Sequence, residues 1–281
     1  MLYTSVDIIG GLGNHLFQIA FILYFVKRSA LDRTIVLDDK KDCGSDQRKT
    51  YWNSLFKDQF KLKSRKEIDH LNFFSYHEKR DHHYDEILPF DVSQNILFKG
   101  YFQSFKYIDD NLRDELIKCI FSNKELIGSA QNAYNSIKSY FGKNTLDDDI
   151  VSMHVRRTDY IQFSHYHTNL PMDYYREALK IANKKYVVVF SDDIQWCKEN
   201  INKSLYDFEK IYFVDLNNVE IEFLLMSMIK HNVIANSTFS LWASFVSSYT
   251  NKIIIAPRKW YAEQGLVEWK EVYHKYITNI I

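Results

Sequence analysis

Short apolar runs alternate with amphipathic segments along most of the chain, and this alternation predicts an α/β protein. The apolar runs predict strands at residues 6–9, 34–37, 150–155, 186–190, 232–235 and 252–256, with a further strand and turn within 96–108. Apolar residues spaced three and four apart predict helices at residues 15–27, 131–140, 172–182, 194–201, 219–230 and 240–248, and one ending near 120. Residues 39–91 are polar, aromatic and irregular, which indicates short helices and loops.

The alternation lapses at one polar stretch, GKNTLDDD at residues 142–149, which is the best candidate for a linker. We therefore predict two Rossmann-like domains, residues 1–145 and 146–281, that face each other across a cleft. In such sheets a ligand binds at the carboxyl ends of the strands. The residues that follow each strand are consequently the most informative about function.

Composition and charge narrow the class of protein. The 281 residues carry a formal net charge of +0, which disfavours general nucleic-acid binding. Cys43, Cys119 and Cys197 are widely spaced, which indicates reduced thiols. The N-terminus shows no signal-peptide pattern, and the apolar run at 19–26 is too short to cross a bilayer. We expect a cytoplasmic protein, with peripheral contact with the inner membrane left open.

A glycine-rich turn, GGLGN, follows the first predicted strand. It resembles a dinucleotide-binding fingerprint, with Asp38 as the candidate ribose ligand, but Leu16 stands where the third glycine is expected. The turn is either a tight connection without a ligand or a site where Gly11 and Gly13 let a ligand approach the backbone. In the second case Asn14 offers both a donor and an acceptor.

The segment HVRRTDY leaves a predicted strand with His154 and two adjacent arginines. Arginine suits bidentate binding of phosphate oxygens. Adjacent side chains diverge on an extended chain, so we assign Arg156 to a diphosphate and Arg157 to Asp159 or another carboxylate. The alternative is a surface arginine pair with a local salt bridge.

Two more polar turns follow predicted strands. In FSDD, Asp192 is either part of a helix cap or a contact to a base or ribose. In NSTFS, the side chains of Asn236, Ser237 and Thr238 lie at a helix N-terminus, which is either a plain cap or an anion site. Three such turns after parallel strands fit a nucleotide diphosphate held by arginine and helix dipoles.

Candidate metal ligands are sparse in the sequence. His165 and His167 lack a nearby third ligand, and adjacent aspartates at a helix start are common without metal. We therefore expect no metal site.

The chain resembles glycosyltransferase family 11, the bacterial and animal α-1,2-fucosyltransferases, in the order and spacing of GGLGNHLFQIA, GYFQSFKYI, HVRRTDY, FSDDIQWCKEN and HNVIANSTFSLWASF. The resemblance is weakest over residues 39–90. It implies a GT-B-like fold, an acceptor-side domain at 1–145 and a GDP-fucose-binding domain at 146–281, with the last helix packing back on the first domain. It also implies inverting transfer of L-fucose from GDP-β-L-fucose to the 2-hydroxyl of a terminal β-galactose, without a cofactor or essential metal.

The resemblance further implies roles for the matched residues. A catalytic role falls to Arg156, Asp159 and Asn14, with Arg156 on the β-phosphate. The nucleotide-sugar side comprises His154, Arg156, Arg157, Asp192, Glu222, Asn236, Ser237, Thr238, Gly11 and Gly13. The acceptor side includes His15, which replaces the usual glutamine, and Gln103.

Several functional alternatives stay open at the level of sequence. We expect an enzyme of O-antigen or other surface-glycan synthesis, acting on a galactose-terminated, lipid-linked glycan at the inner membrane. The general base is unassigned among Asp159, His154, His15 and Asp7. The alternatives are a fucosyltransferase of another linkage, an NAD(P)-binding oxidoreductase using the GGLGN turn, and a sugar-nucleotide-binding protein without catalysis.

Overall fold

The computed structural model describes residues 2–44, 47–79, 83–86, 93–202, 206–262 and 272–281. Its chain divides into two compact units. The first runs to Lys124 and also includes Val272, and the second starts at Glu125 and comprises the rest of the described chain. The helix that precedes the predicted boundary at 145 therefore lies in the second unit. The acceptor-side and donor-side roles of the two units stay predictions.

The first unit is built on a five-stranded parallel sheet. Its elements are β1 (Leu2–Val6), α1 (Leu12–Arg28), β2 (Arg33–Asp38), β3 (Asp42–Cys43), β4 (Arg48–Lys49), β5 (Lys61–Lys63), α2 (Arg65–Asp69), β6 (Phe74–His77), β7 (Ile96–Lys99) and α3 (Asp110–Ile120). The strand order is β5-β2-β1-β7-β6, with every neighbouring pair parallel, and β3 and β4 form a separate antiparallel pair. The order reverses direction between β1 and β7, so the carboxyl ends of these strands flank the expected binding crevice of this sheet.

Buried aromatic rings pack α1 onto this sheet. Phe21 stacks on Phe102 with centroids 3.8 Å apart and meets Phe98 edge-on at 4.9 Å. Phe25 also meets Phe98 edge-on, at 4.7 Å. Because aromatic rings bury large apolar areas, this cluster fixes the helix that carries the glycine-rich turn.

A buried glutamine ends β1 earlier than the sequence predicted. The side-chain amide of Gln18 donates to the carbonyls of Asp7 at 3.1 Å and Gly100 at 2.8 Å, and its oxygen accepts from the Ile9 amide at 3.2 Å. The strand predicted at 6–9 is therefore wrong in position: β1 ends at Val6, and Gln18 supplies partners that a ladder would otherwise provide.

The second unit is built on a six-stranded parallel sheet. Apart from the first residue of α4, it contains α4 (Lys124–Phe141), β8 (Ile150–Val155), α5 (Thr158–Gln162), α6 (Met172–Ala182), β9 (Tyr186–Ser191), α7 (Ile194–Asn200), β10 (Lys210–Phe213), α8 (Val219–Ser227), β11 (His231–Val233), α9 (Thr238–Val246), β12 (Ile254–Ala256) and β13 (Asn279–Ile280). The order is β10-β9-β8-β11-β12-β13, which is the 3-2-1-4-5-6 order of a Rossmann sheet. Its topological switch point lies between β8 and β11.

Buried, mostly apolar strands form the core of this unit. All six residues of β8 are buried, and Val187 and Val189 of β9 pack in the same cluster as Leu179 of α6. Parallel strands covered by helices on both faces are mostly apolar, and β8 is apolar apart from Ser152 and His154, which is why these elements were predictable. The predicted strand 150–155 and helix 172–182 are confirmed to the residue.

Short elements escaped prediction. The strands β5, β10 and β13 have two to four residues each and lie at or near sheet edges, so they carry little periodicity. That the last helix packs back on the first domain stays a prediction. None of the helices described combines the length and hydropathy that crossing a bilayer requires.

We predict that Gln18→Met destabilises the protein by about 3 kcal/mol, because the Ile9 amide and the Asp7 and Gly100 carbonyls each lose their hydrogen bond to Gln18. Urea unfolding followed by circular dichroism measures the loss. Gln131→Met on the exposed face of α4 is the matched control, and equal stability of the two variants would contradict the role given to Gln18.

Candidate functional site

The guanidinium group of Arg156 lies directly after β8 in a fork with Asp159. Its Nε donates to Oδ1 at 2.9 Å and its Nη2 to Oδ2 at 2.6 Å. The Oδ2 atom of Asp192 lies 3.4 Å from the same Nε. Two parallel charge-assisted hydrogen bonds fix the plane of the guanidinium, while a fifth of the side chain stays exposed.

The carboxylate of Asp192 holds the turn that carries both arginines. It accepts hydrogen bonds from the backbone amides of Arg157 at 2.9 Å and Thr158 at 3.1 Å, and from the Thr158 hydroxyl. These amides open α5, where negative charge is favourable. The carboxyl end of β9 is thereby tied to the carboxyl end of β8.

Arg157 is held by a different carboxylate. Its Nε donates to Asp193 Oδ2 at 3.1 Å, and its guanidinium carbon lies 3.5 Å from the centroid of the Trp196 ring. Asp193 also caps α7 by accepting from the Trp196 amide at 3.2 Å. Of the two partners left open by the sequence, Asp159 pairs with Arg156, and Asp193 is the carboxylate that holds Arg157.

The charge states around Arg156 are well defined. Burial alone would lower the pKa of Arg156, but the charges of Asp192 and Asp159 outweigh it and raise that pKa, so the guanidinium stays protonated. Burial, followed by the nearby charge of Arg156, lowers the pKa of His154 to about 3. The imidazole is therefore neutral at physiological pH.

His154 also has a buried ring nitrogen. Its Nδ1 has no partner in the described part of the chain, and its ring lies 5.4 Å from that of Phe239. Phe239 in turn meets Phe223 of α8 edge-on at 5.6 Å. Since Glu222 precedes Phe223, this chain of contacts brings α8 and α9 to the end of β8.

Glu222 occupies the first turn of α8. Its Oε1 accepts from the Leu216 amide at 3.1 Å. Burial raises the pKa of Glu222, partly opposed by the hydrogen bonds from the Leu216 and Asn217 amides. The carboxylate thus orders the loop between β10 and α8.

Tyr160 connects the two strands of the switch point. Its hydroxyl donates to the Asn236 carbonyl at 2.7 Å, just after β11. The Asn236 amide donates to the carbonyls of Thr168 at 2.9 Å and Trp260 at 2.8 Å. Ser237 is the buried N-cap of α9, and its side chain makes no capping hydrogen bond to the helix.

Four predicted residues gather at the glycine-rich turn of the first unit. Gln103 Nε2 donates to Asn14 Oδ1 at 2.8 Å, which orients the Asn14 amide. Gly11 is the N-cap of α1, whereas Gly13 is buried inside the helix.

Glycine is required at Gly10, just before the cap. Its φ is +78°, and a Cβ there would lie 2.2 Å from Asn14 Nδ2. Any other side chain would therefore displace the Asn14 amide.

His15, the other acceptor-side prediction, is fully buried. Its Nε2 lies 3.3 Å from the thiol of Cys43.

Sequence reasoning missed two residues that position the arginines. Trp196 lies three residues after Asp193, one helical turn along α7, so the sequence spacing alone could have predicted that the two side chains lie close together. Tyr160 stands in the HVRRTDY segment itself. Among the described residues, no group of three or more His, Cys, Asp or Glu side chains is placed to hold a metal ion, and metal independence stays a prediction.

Comparisons with known proteins identify the family. A profile of Glycosyl transferase family 11 matches residues 55–278. The O-antigen biosynthesis glycosyltransferase WbnK of Escherichia coli is 30% identical, over 90% of this chain and 93% of its own. An alpha-1,2-colitosyltransferase of Escherichia coli is 33% identical over 41% of this chain and 42% of its own. Galactoside alpha-(1,2)-fucosyltransferase 2 of Mus musculus is 28% identical over 55% of this chain and 45% of its own.

Solved structures share the fold. NodZ alpha-1,6-fucosyltransferase, co-crystallized with GDP, matches with a TM-score of 0.53 and 14% identity, over 87% of this chain and 92% of that chain. At this identity the match concerns the fold alone. It confirms the predicted α/β, GT-B-like fold class.

We predict that His154 makes stability depend on pH. In the unfolded chain it takes up a proton below about pH 6.5, whereas in the folded chain it does so only near pH 3. The unfolded state therefore binds more protons between these values, and stability falls as the pH falls.

Between pH 7 and pH 5, wild type should lose about 2 kcal/mol more than His154→Leu, as measured by urea unfolding at each pH. His77→Leu, at an exposed histidine of β6, serves as the control. Parallel pH dependences of wild type and His154→Leu would refute the burial argument.

Proposed function

Because this chain belongs to glycosyltransferase family 11, as its motifs predicted, we propose that it transfers L-fucose from GDP-β-L-fucose to the 2-hydroxyl of a terminal β-galactose. The names of two relatives support the linkage, one an alpha-1,2-colitosyltransferase and one a galactoside alpha-(1,2)-fucosyltransferase. The reaction inverts the anomeric carbon and needs no metal. An O-antigen or related surface glycan is the acceptor that the Escherichia coli relative suggests.

One observation carries the proposal: a clamped, charged arginine stands at the switch point of a Rossmann sheet. The fork with Asp159 uses Nε and Nη2 of Arg156, so that pair leaves the two N–H donors of Nη1 unused. The N-terminus of α9 begins at the neighbouring strand, β11, and helix N-termini favour anions. We assign the β-phosphate of the donor to Arg156 and the first turn of α9.

The same groups would stabilise the leaving group. Departure of GDP develops negative charge on the β-phosphate, and fixed donors aimed at that charge lower the barrier. Leaving-group departure then leads, with an oxocarbenium-like fucose and in-line attack by the acceptor 2-hydroxyl. Asn14 and Gln103 are assigned to the acceptor side, together with the glycine-rich turn.

The contacts narrow the choice of proton acceptor. His154, with a pKa of about 3, is a weak base, and both oxygens of Asp159 are bound to Arg156. His15 is buried against Cys43. Asp7 has a side chain one-third exposed, 3.4 Å from Arg65, and we retain it as the candidate base.

The competing functions are weaker. The oxidoreductase alternative needs Asp38 as a ribose ligand, but Asp38 forms an ion pair with Lys40 at 3.4 Å. A second candidate is colitosyl transfer. It is favoured by the similarity to the colitosyltransferase, which covers 41% of this chain. Turnover of GDP-fucose against GDP-colitose with a β-galactoside acceptor separates the two.

The cellular setting is also a proposal. We propose a cytoplasmic enzyme that acts on a lipid-linked, galactose-terminated glycan, with peripheral contact at the inner membrane. Fractionation of cells expressing the chain, with and without high-salt washing, measures that contact.

We predict that Arg156→Ala lowers the rate of fucosyl transfer by about 10²- to 10³-fold, because it removes the hydrogen-bond donor that faces the negative charge developing on the β-phosphate. The measurement is transfer from GDP-fucose to a β-galactoside, with linkage analysis of the product and thermal shift by GDP. Arg176→Ala, at a partly exposed arginine of α6, is the control. Wild-type turnover by Arg156→Ala would remove the basis of the phosphate assignment.

We predict that Asp159→Asn lowers kcat about 10-fold, since it replaces a charged fork by one neutral hydrogen bond. As a positioning residue, Asp159 should leave the shape of the pH–rate profile unchanged. Loss of the acidic limb in the variant would instead identify Asp159 as the base.

A further inference from the structure

An exposed aromatic surface follows the arginine turn. Ile161, Phe163 and Tyr166 expose 47%, 52% and 39% of their surface, respectively, within six residues of each other. Single exposed apolar residues are ordinary, but a cluster of large ones beside polar neighbours marks a binding surface. We name Phe163 and Tyr166 the aromatic rim.

The rim is braced by backbone hydrogen bonds. The Phe163 amide donates to the Asp159 carbonyl at 2.9 Å, and the Tyr166 amide donates to the Phe163 carbonyl at 2.9 Å. The Ala262 amide donates to the Tyr166 carbonyl at 3.0 Å. The exposed rings therefore stand on fixed backbone.

Ring contacts connect Tyr166 of the rim to Arg156. The Arg156 guanidinium lies 5.5 Å from the centroid of the Tyr160 ring, and Tyr160 stacks on His167 at 4.0 Å with an interplanar angle of 1°. His167 meets Tyr166 edge-on at 4.9 Å. A chain of ring contacts thus joins the proposed phosphate contact to the exposed Tyr166 ring, on the same segment as Phe163.

The chemistry of the surface favours a sugar over a membrane. Residues 158–169 contain no lysine or arginine, whereas anionic lipid surfaces attract basic clusters. Exposed Gln162, Ser164 and His165 alternate with the apolar side chains. Aromatic faces for C–H groups, combined with adjacent donors and acceptors for hydroxyls, are the features that a pyranose ring requires.

We propose that Phe163 and Tyr166 bind a pyranose ring of the acceptor glycan and thereby set acceptor specificity. The inference rests on the proposed function and deepens it at the acceptor end. The aromatic rim would contact the pyranose equally in the ground state and in the transition state. Loss of this contact should therefore raise the acceptor KM and leave kcat nearly unchanged.

The test compares three substitutions at Phe163. Phe163→Ala should raise the KM for a β-galactoside acceptor about fivefold, as expected for one lost aromatic contact. Phe163→Leu, which keeps apolar area but no ring face, should behave like Phe163→Ala, and Phe163→Tyr should restore the wild-type KM. GDP affinity, measured by thermal shift, should not change. Phe74→Ala, at a half-exposed phenylalanine of β6, is the matched control.

Three outcomes would overturn the inference. A wild-type KM for Phe163→Leu would show that the ring face is not used. An unchanged KM for Phe163→Ala would remove Phe163 from the acceptor site. Loss of binding to vesicles containing anionic lipid, with the acceptor KM unchanged, would assign the rim to a membrane instead.

Direct binding separates this inference from the proposed function. If wild type fails to turn over GDP-fucose, the donor proposal fails. Calorimetric binding of a galactose-terminated oligosaccharide that Phe163→Leu weakens would still support the rim, and equal binding by both proteins would overturn it.

Discussion

The rest of the candidate site depends on the carboxylate of Asp192. Two adjacent guanidinium groups repel each other, and a turn that carries both needs negative charge close to its backbone. Asp192 accepts from the Arg157 and Thr158 amides and lies 3.4 Å from Arg156 Nε. With the turn fixed in this way, Arg156 reaches Asp159 and Arg157 reaches Asp193, so each guanidinium has its own partner.

The sheet order explains why this turn is a good place for a ligand. In a 3-2-1-4-5-6 sheet the connections of β8 and β11 leave in opposite directions, which opens space at their carboxyl ends. Tyr160 spans that point by donating to the Asn236 carbonyl. The neutral His154 ring and the N-terminus of α9 lie at the same end, so one edge of the sheet collects a cation, a helix dipole and a neutral imidazole.

The sequence was sufficient for the buried elements and insufficient for side-chain partners. The strand 150–155 was readable because burial on both faces favours apolar side chains, which fill four of its six positions. The partners of the arginines were not, because they depend on the fold of the turn after β8. Asp192 accepts from the Arg157 and Thr158 amides, and the turn places Asp159 beside Arg156. Likewise, the position of β1 depended on Gln18, a residue whose partners are distant in the chain.

The charge balance of the site implies selectivity. Around the two arginines, the carboxylates of Asp159, Asp192 and Asp193 outnumber the guanidiniums by one, and neutral His154 adds no charge. A free anion therefore meets no excess of positive charge there. Attraction for the proposed diphosphate must come from directed groups, namely the remaining N–H donors of Arg156 and the amides that open α9, which act only at hydrogen-bond distance. Such a site binds a nucleotide sugar in preference to inorganic phosphate. The sugar and base position the diphosphate at these groups, whereas the local field alone does not concentrate anions.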